Sequence, residues 1–293
     1  MFSNGLENYR EKIEDSLSHF LPTVTTAPRV IHEAMRYSTC GGGKRIRGIL
    51  TLLACQVVSG EWQKALPAAC AIEMVHSYSL IHDDLPCMDD DAFRRGKPTN
   101  HRVYGENIAV LAGDALLTQA VETMLEYAPS GLERYYWEAL HELIKASNTQ
   151  GMIGGQVLDL EAEGKELNLK ELQAIHRRKT GALIRVALRM GGIIGGGNER
   201  ELEALSNYGE SLGLTFQIID DLLDREADPK VLGKAVGSDI KNNKATYPGI
   251  VGIEESRRLA ALEVDKACKV LQPFGERGMF LQEFARELLK RDY

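Results

Sequence analysis

Apolar positions recur three and four residues apart over residues 62–84, 105–126, 168–190 and 199–224, the spacing that gathers them on one face of an α-helix. Strand signals are poor: β-branched runs are short, and no Asn-Gly or Asp-Gly turn stands between alternating segments. Glycine and proline interrupt the pattern at residues 41–43, 98, 129, 191–192, 195–197, 229 and 248. No stretch is long or biased enough to read as a linker. The pattern predicts an all-α bundle of roughly ten or more helices, with residues 1–293 forming one domain.

Composition adds little beyond exclusions. The chain has 293 residues, 44% hydrophobic and 26% charged, ordinary for a globular protein. A net charge of -7 argues against nucleic acid as a partner. A negative chain that handles anionic substrates must gather its cations locally or recruit metal ions. Five cysteines without metal-ligand spacing suit a reducing cytosol, and a cytoplasmic location is expected. The first residues show no basic-then-apolar leader. Apolar runs meet Arg, Lys or Asp before the ~20 residues of a membrane span, so none is expected.

Two aspartate clusters stand out, each ending an apolar helical segment. The second is Asp220-Asp221-Leu222-Leu223-Asp224. At 100° per residue, Asp224 lies about 40° from Asp220 and about 60° from Asp221, so all three are expected on one face with Gln217. Like charges this close raise one another's pKa unless a cation sits among them, and oxygen-only ligands suit Mg²⁺ better than zinc. A solvated acidic helix end is the alternative. The first cluster runs Asp83-Asp84-Leu85-Pro86-Cys87-Met88-Asp89. On an ideal helix Asp89 would point about 120° from Asp83. Pro86 disrupts the turn, so the helix is expected to bulge or stop at residues 85–88 and swing Asp89 back. Negative charge is disfavoured at a helix C-terminus, which favours a ligand for these carboxylates.

A basic complement accompanies them. Residues 41–47 read Gly-Gly-Gly-Lys-Arg-Ile-Arg and are expected to open a helix with Lys44 and Arg47 on one face. Arg94 and Arg95 follow the first cluster; Lys179-Thr180, Lys234, and Lys244 come later. Two carboxylate sets and two basic sets describe a site for two polyphosphate groups, one held through metal ions and one directly by Arg and Lys.

These residues resemble the trans-prenyltransferase (polyprenyl synthetase) family. The motifs GGGKRIRG, DDLPCMDDDAFRRGKPTNH, GGQVLDL, KTGALI, GLTFQIIDDLLD and GKAVGSDIKNNKATYP occur in the family's order along nearly the whole chain. The resemblance implies an all-α isoprenoid synthase bundle around a central apolar cavity, usually a homodimer. It implies that Asp83, Asp89, Asp220 and Asp224 hold Mg²⁺, three ions per site with Mn²⁺ as a substitute, and that Asp84 and Asp221 support them, Asp84 also as a ligand. The allylic diphosphate would lie on these ions, touched by Arg94, Lys179, Lys234 and Lys244, with Thr180 and Gln217 nearby. Isopentenyl diphosphate would be gripped by Lys44, Arg47, His76 and Arg95. His76 taken by itself reads as a core histidine.

Product length should follow cavity depth. Tyr78 lies five residues before Asp83, roughly 7.5 Å down the helix axis. Ser79 is its neighbour and Met74 is one turn below. A tyrosine here resembles the floor of bacterial farnesyl synthases, so farnesyl diphosphate is the expected product, with a geranylgeranyl diphosphate synthase as the alternative. Phe216 is a candidate for cation–π contact or for the core. Two further alternatives are a non-catalytic partner subunit, marked by lost aspartates or arginines, and a terpene cyclase, which has no need of Lys44, Arg47 and Arg95. Neither mark of the first is present.

Overall fold

A computed structural model of the chain describes residues 2–226 and 245–290. The all-α expectation holds. The helices are α1 (Phe2–Phe20), α2 (Arg29–Thr39), α3 (Ile46–Ser59), α4 (Leu66–Asp83), α5 (Asn100–Tyr104), α6 (Glu106–Glu126) and α7 (Glu133–Ser147) in the first half. They continue as α8 (Met152–Ala162), α9 (Leu169–His176), α10 (Ala182–Ile194), α11 (Glu199–Glu226), α12 (Tyr247–Val251), α13 (Ile253–Val270) and α14 (Met279–Leu288).

α4 is apolar or small on nearly every side, and a helix with no polar face belongs inside. Residues 67–75 are all buried. α6 runs antiparallel to it: Thr123 donates to the Met74 sulfur at 3.8 Å near one end, and His82 meets the Val110 carbonyl at 3.0 Å near the other. The main core joins α3, α4, α6, α7, α10 and α11. A smaller cluster around Leu172, Ile218, Leu222 and Tyr247 ties α9, α11, α12 and α13 together.

Sequence and structure part at three places. The periodic segment 168–190 starts on a capping box, Asn168 with Glu171, but is interrupted by a π-helical turn, Arg177–Gly181. Such turns insert one extra residue and re-aim their side chains. A two-stranded hairpin pairs Phe93–Arg94 with Lys97–Pro98. Its turn residues, Arg95 and Gly96, both have positive φ, the geometry of the tightest hairpins, reached here with Arg in place of Asn or Asp. Finally, α6 is long and apolar enough, by length and composition, to cross a membrane. It nonetheless packs along α4, burying Ala109, Ala112, Leu116, Ala120 and Met124.

Candidate active site

One cavity of about 1650 Å³ opens between α1, α3, α4, α8, the π-turn, α11 and α14. Its wall brings together Asp83, Asp89 and Asp220 with Lys44, Arg47, Arg94, Arg95 and Lys179. Leu85, Met88, Met152, Val157, Leu183, Ile184 and Phe216 supply apolar surface. The two aspartate clusters therefore share one chamber.

At the first cluster the helix stops where Pro86 requires. α4 ends at Asp83, and the chain turns back so that the Asp89 N–H donates to the Asp83 carbonyl at 2.9 Å. Asp90 closes the turn with φ 51°. Burial pushes the Asp83 carboxyl up to about 6; Lys179 pulls it down and Asp89 adds to the rise. Asp84 points elsewhere. It is 3% exposed, and both its oxygens accept from the Arg94 guanidinium, at 2.6 to 2.9 Å. That geometry makes Asp84 an anchor for Arg94, whereas the sequence reading had it among the metal ligands.

The second cluster does not sit on one face. Asp220 is exposed on the cavity wall, whereas Asp221 is 2% exposed. Asp221 accepts from Gln217 Nε2 at 2.8 Å and from the Tyr247 N–H at 2.9 Å. The 100° step between adjacent helix residues is enough to send one carboxylate to the cavity and the other into the packing against α12. Gln217 is also joined to the cavity-lining Thr180, whose hydroxyl donates at 3.1 Å. Asp224 is half-buried.

The basic set is assembled by loops more than by helix periodicity. α3 begins at Ile46, so Lys44 precedes it and does not share its face with Arg47 as expected. Positive φ at Gly42, Gly43 and Arg45 delays the helix. The glycines admit Arg95: a Cβ at Gly43 would lie 2.8 Å from its guanidinium, and Arg95 donates to the Gly42 carbonyl. Arg94 and Arg95 thus leave the hairpin toward opposite partners. His76 lines the cavity, and burial together with Arg47, Arg95, Arg94 and Arg45 drives its pKa well below the usual value. It is a neutral imidazole facing a cationic wall. Lys234 and Lys244 lie outside the described residues.

Three residues escaped the sequence reading. Asp159, in the GGQVLDL stretch, accepts from Lys179 Nζ at 2.6 Å. Glu73 is 2% exposed and accepts the Gly48 N–H at 2.9 Å, capping α3 where Arg45 has no side-chain cap to offer. Its other oxygen faces Arg45 Nη1 at 3.7 Å. Arg45, 3% exposed, donates to the Thr39 carbonyl at 2.6 Å. A buried acid one helical turn before His76 was the available signal. Of the three residues expected to set product length, Tyr78 and Ser79 line the cavity. Met74 is fully buried, accepts from the Thr123 hydroxyl and does not line the cavity.

The donor set is compatible with Mg²⁺. Among the described residues no three acidic, histidine or cysteine side chains converge into a ready-made cage. Mg²⁺ is commonly held by one or two carboxylates together with substrate phosphates and water, a role that Asp83, Asp89 and Asp220 have the chemistry to fill.

Residues 28–270 match the polyprenyl synthetase family. A geranylgeranyl diphosphate synthase of Cyanophora paradoxa is 42% identical over 97% of this chain and 94% of its own length. The large subunit 1 of a heterodimeric geranylgeranyl pyrophosphate synthase of Arabidopsis thaliana is 50% identical over 80% of this chain, which spans 64% of that protein. The solved FPP/GFPP synthase of Zymomonas mobilis superposes with TM-score 0.87 at 35% identity, over 98% of each chain. A helical fold shared at this level places the chain among the prenyltransferases. The chain belongs to the polyprenyl synthetase family.

Proposed function

We propose that this protein is a short-chain trans-prenyl diphosphate synthase joining an allylic diphosphate to isopentenyl diphosphate. The observation that carries this reading is the single chamber in which Asp83, Asp89 and Asp220 face Lys44, Arg47, Arg94, Arg95 and Lys179. A terpene cyclase needs one diphosphate site and leaves the Lys44, Arg47, Arg95 group without a purpose. A non-catalytic partner subunit leaves the intact carboxylates without one.

Asp83, Asp89, Asp220 and Asp224 are proposed to hold Mg²⁺, which supplies Lewis-acid neutralisation of the leaving diphosphate oxygens. Lys179 and Arg94 add fixed positive charge on the allylic side, and Lys44, Arg47 and Arg95 grip the second diphosphate. With the allylic C–O bond broken, the isopentenyl double bond attacks the cation and a proton is lost, the released diphosphate serving as base. Phe216 and the leucines of the wall keep water from quenching the cation.

Two product lengths compete. The names of the relatives, geranylgeranyl synthases for the most part, support twenty carbons at least as well as fifteen. The Tyr78 ring in the chamber wall supports fifteen. We propose a homodimer as well; the exposed apolar side chains Leu111 and Leu125 of α6 suit a second copy. Five unpaired cysteines suit a reducing compartment. The test is incorporation of radiolabelled isopentenyl diphosphate with dimethylallyl, geranyl or farnesyl diphosphate, with and without Mg²⁺, and sizing of the products. No labelled prenyl product from any primer sinks the reading.

A further inference from the structure

His82 precedes the first aspartate and has no part in the chemistry above, yet its placement is specific. A carbonyl only accepts, so the imidazole carries its proton on Nε2 and donates to Val110 of α6 at 3.0 Å. The ring fits against α6 because residue 113 is glycine: a Cβ there would overlap the imidazole at Nε2, Cδ2 and Cε1. On its other side the ring stands edge-on to Tyr78, with centroids 5.8 Å apart and planes at 73°. His82, Tyr78 and Val110 all line the chamber. The Tyr78 hydroxyl is buried without a hydrogen-bond partner, so the phenol ring is held by packing, with no polar tether.

We infer that His82 is a specificity-determining residue: seated in the Gly113 notch and pinned to Val110, it buttresses Tyr78 and sets how far a growing prenyl tail extends between α4 and α6. The inference rests on the prenyl synthase reading. It adds a second wall to the floor, one that depends on α6 as much as on α4. Removing the imidazole opens the notch and frees the phenol ring. Filling the notch has the opposite effect, because it pushes the imidazole away from α6 toward Tyr78, and both rings line the chamber.

The experiment compares product lengths of the full-length wild type, His82→Ala and Gly113→Ala, using labelled isopentenyl diphosphate, an allylic primer and Mg²⁺. His82→Ala is expected to raise the ratio of the next longer product to the wild-type product by about threefold or more, and Gly113→Ala to lower it by a similar factor. KM for isopentenyl diphosphate stays within about twofold in both, since Lys44, Arg47 and Arg95 are left in place. His82→Asn, which keeps a donor but lacks the ring, should behave like the alanine variant, and it carries the same prediction if that variant fails to fold. An unmoved ratio in either direction, with an active wild type, overturns the buttress role. A wild type that makes no prenyl product overturns the functional reading itself.

Discussion

The Lys179 ammonium donates to Asp159 at 2.6 Å, across 20 residues of sequence, and both side chains are about three-quarters buried. Asp159 on α8 thereby fixes a cation that the π-turn aims into the chamber, and that cation also reaches Asp83. Ordering a free lysine costs about 2 kcal/mol of side-chain entropy, which this pair settles before substrate arrives.

Replacing Asp159 with Asn should therefore weaken the allylic side alone. A charge-assisted hydrogen bond of about 1.5–3 kcal/mol predicts a rise of about tenfold or more in the allylic KM. The isopentenyl KM should be unchanged. Steady-state kinetics with each substrate varied in turn checks this, and equal rises in both would refute the positioning role.

The acidity of Asp83 makes a prediction about pH. Burial raises its carboxyl from 3.8 to about 6, so between those values the folded, metal-free protein keeps a proton that the unfolded chain has lost. The stability this confers is complete below about pH 4 and lost as pH passes about 6. Metal needs the ionised form, so protons compete with it below about pH 6. The rise in melting temperature produced by Mg²⁺ with a non-reactive diphosphate analogue should grow from about pH 5 to about pH 7 and then level off. A rise independent of pH would refute it.

Glu73 should matter most to stability. Glu73→Ala leaves the Gly48 N–H without its acceptor and takes one of two nearby carboxylates from each of two guanidiniums, leaving Glu14 beside Arg45 and Asp220 near Arg47. Breaking a buried pair from one side costs about 3–5 kcal/mol, readable as a lower urea midpoint. Glu73→Gln keeps an acceptor for Gly48 and should fall between the two.

Adjacent aspartates should fail differently. Asp221→Ala orphans the buried Tyr247 N–H and releases Gln217, for a loss of about 2–3 kcal/mol in stability. Asp220→Asn, on the cavity wall, should leave the melting temperature nearly unchanged and lower kcat by about a hundredfold or more. Thermal melts and turnover on the same preparations separate the two. Similar melting temperatures for both variants would contradict the burial contrast.

Much of this was legible in the chain. Period 3.6 gave the long helices; residues 105–126 against α6 and 199–224 against α11 differ only at their ends. Pro86 foretold the stop that returns Asp89 to Asp83, because a missing N–H and a ring clash act on neighbouring residues alone. Local constraints of that kind travel with the sequence. Partnerships do not. That Asp84 would be taken by Arg94, Asp221 by Tyr247 and Lys179 by Asp159 depends on which elements pack side by side. The same holds for the Gly113 notch that admits His82, since a glycine in a helix shows nothing of what approaches it. The sequence thus settled which chemical groups exist and how the chain bends locally. Packing decided which carboxylates face the chamber and which are used up as anchors, because a buried charge must find its counterpart wherever the fold delivers it.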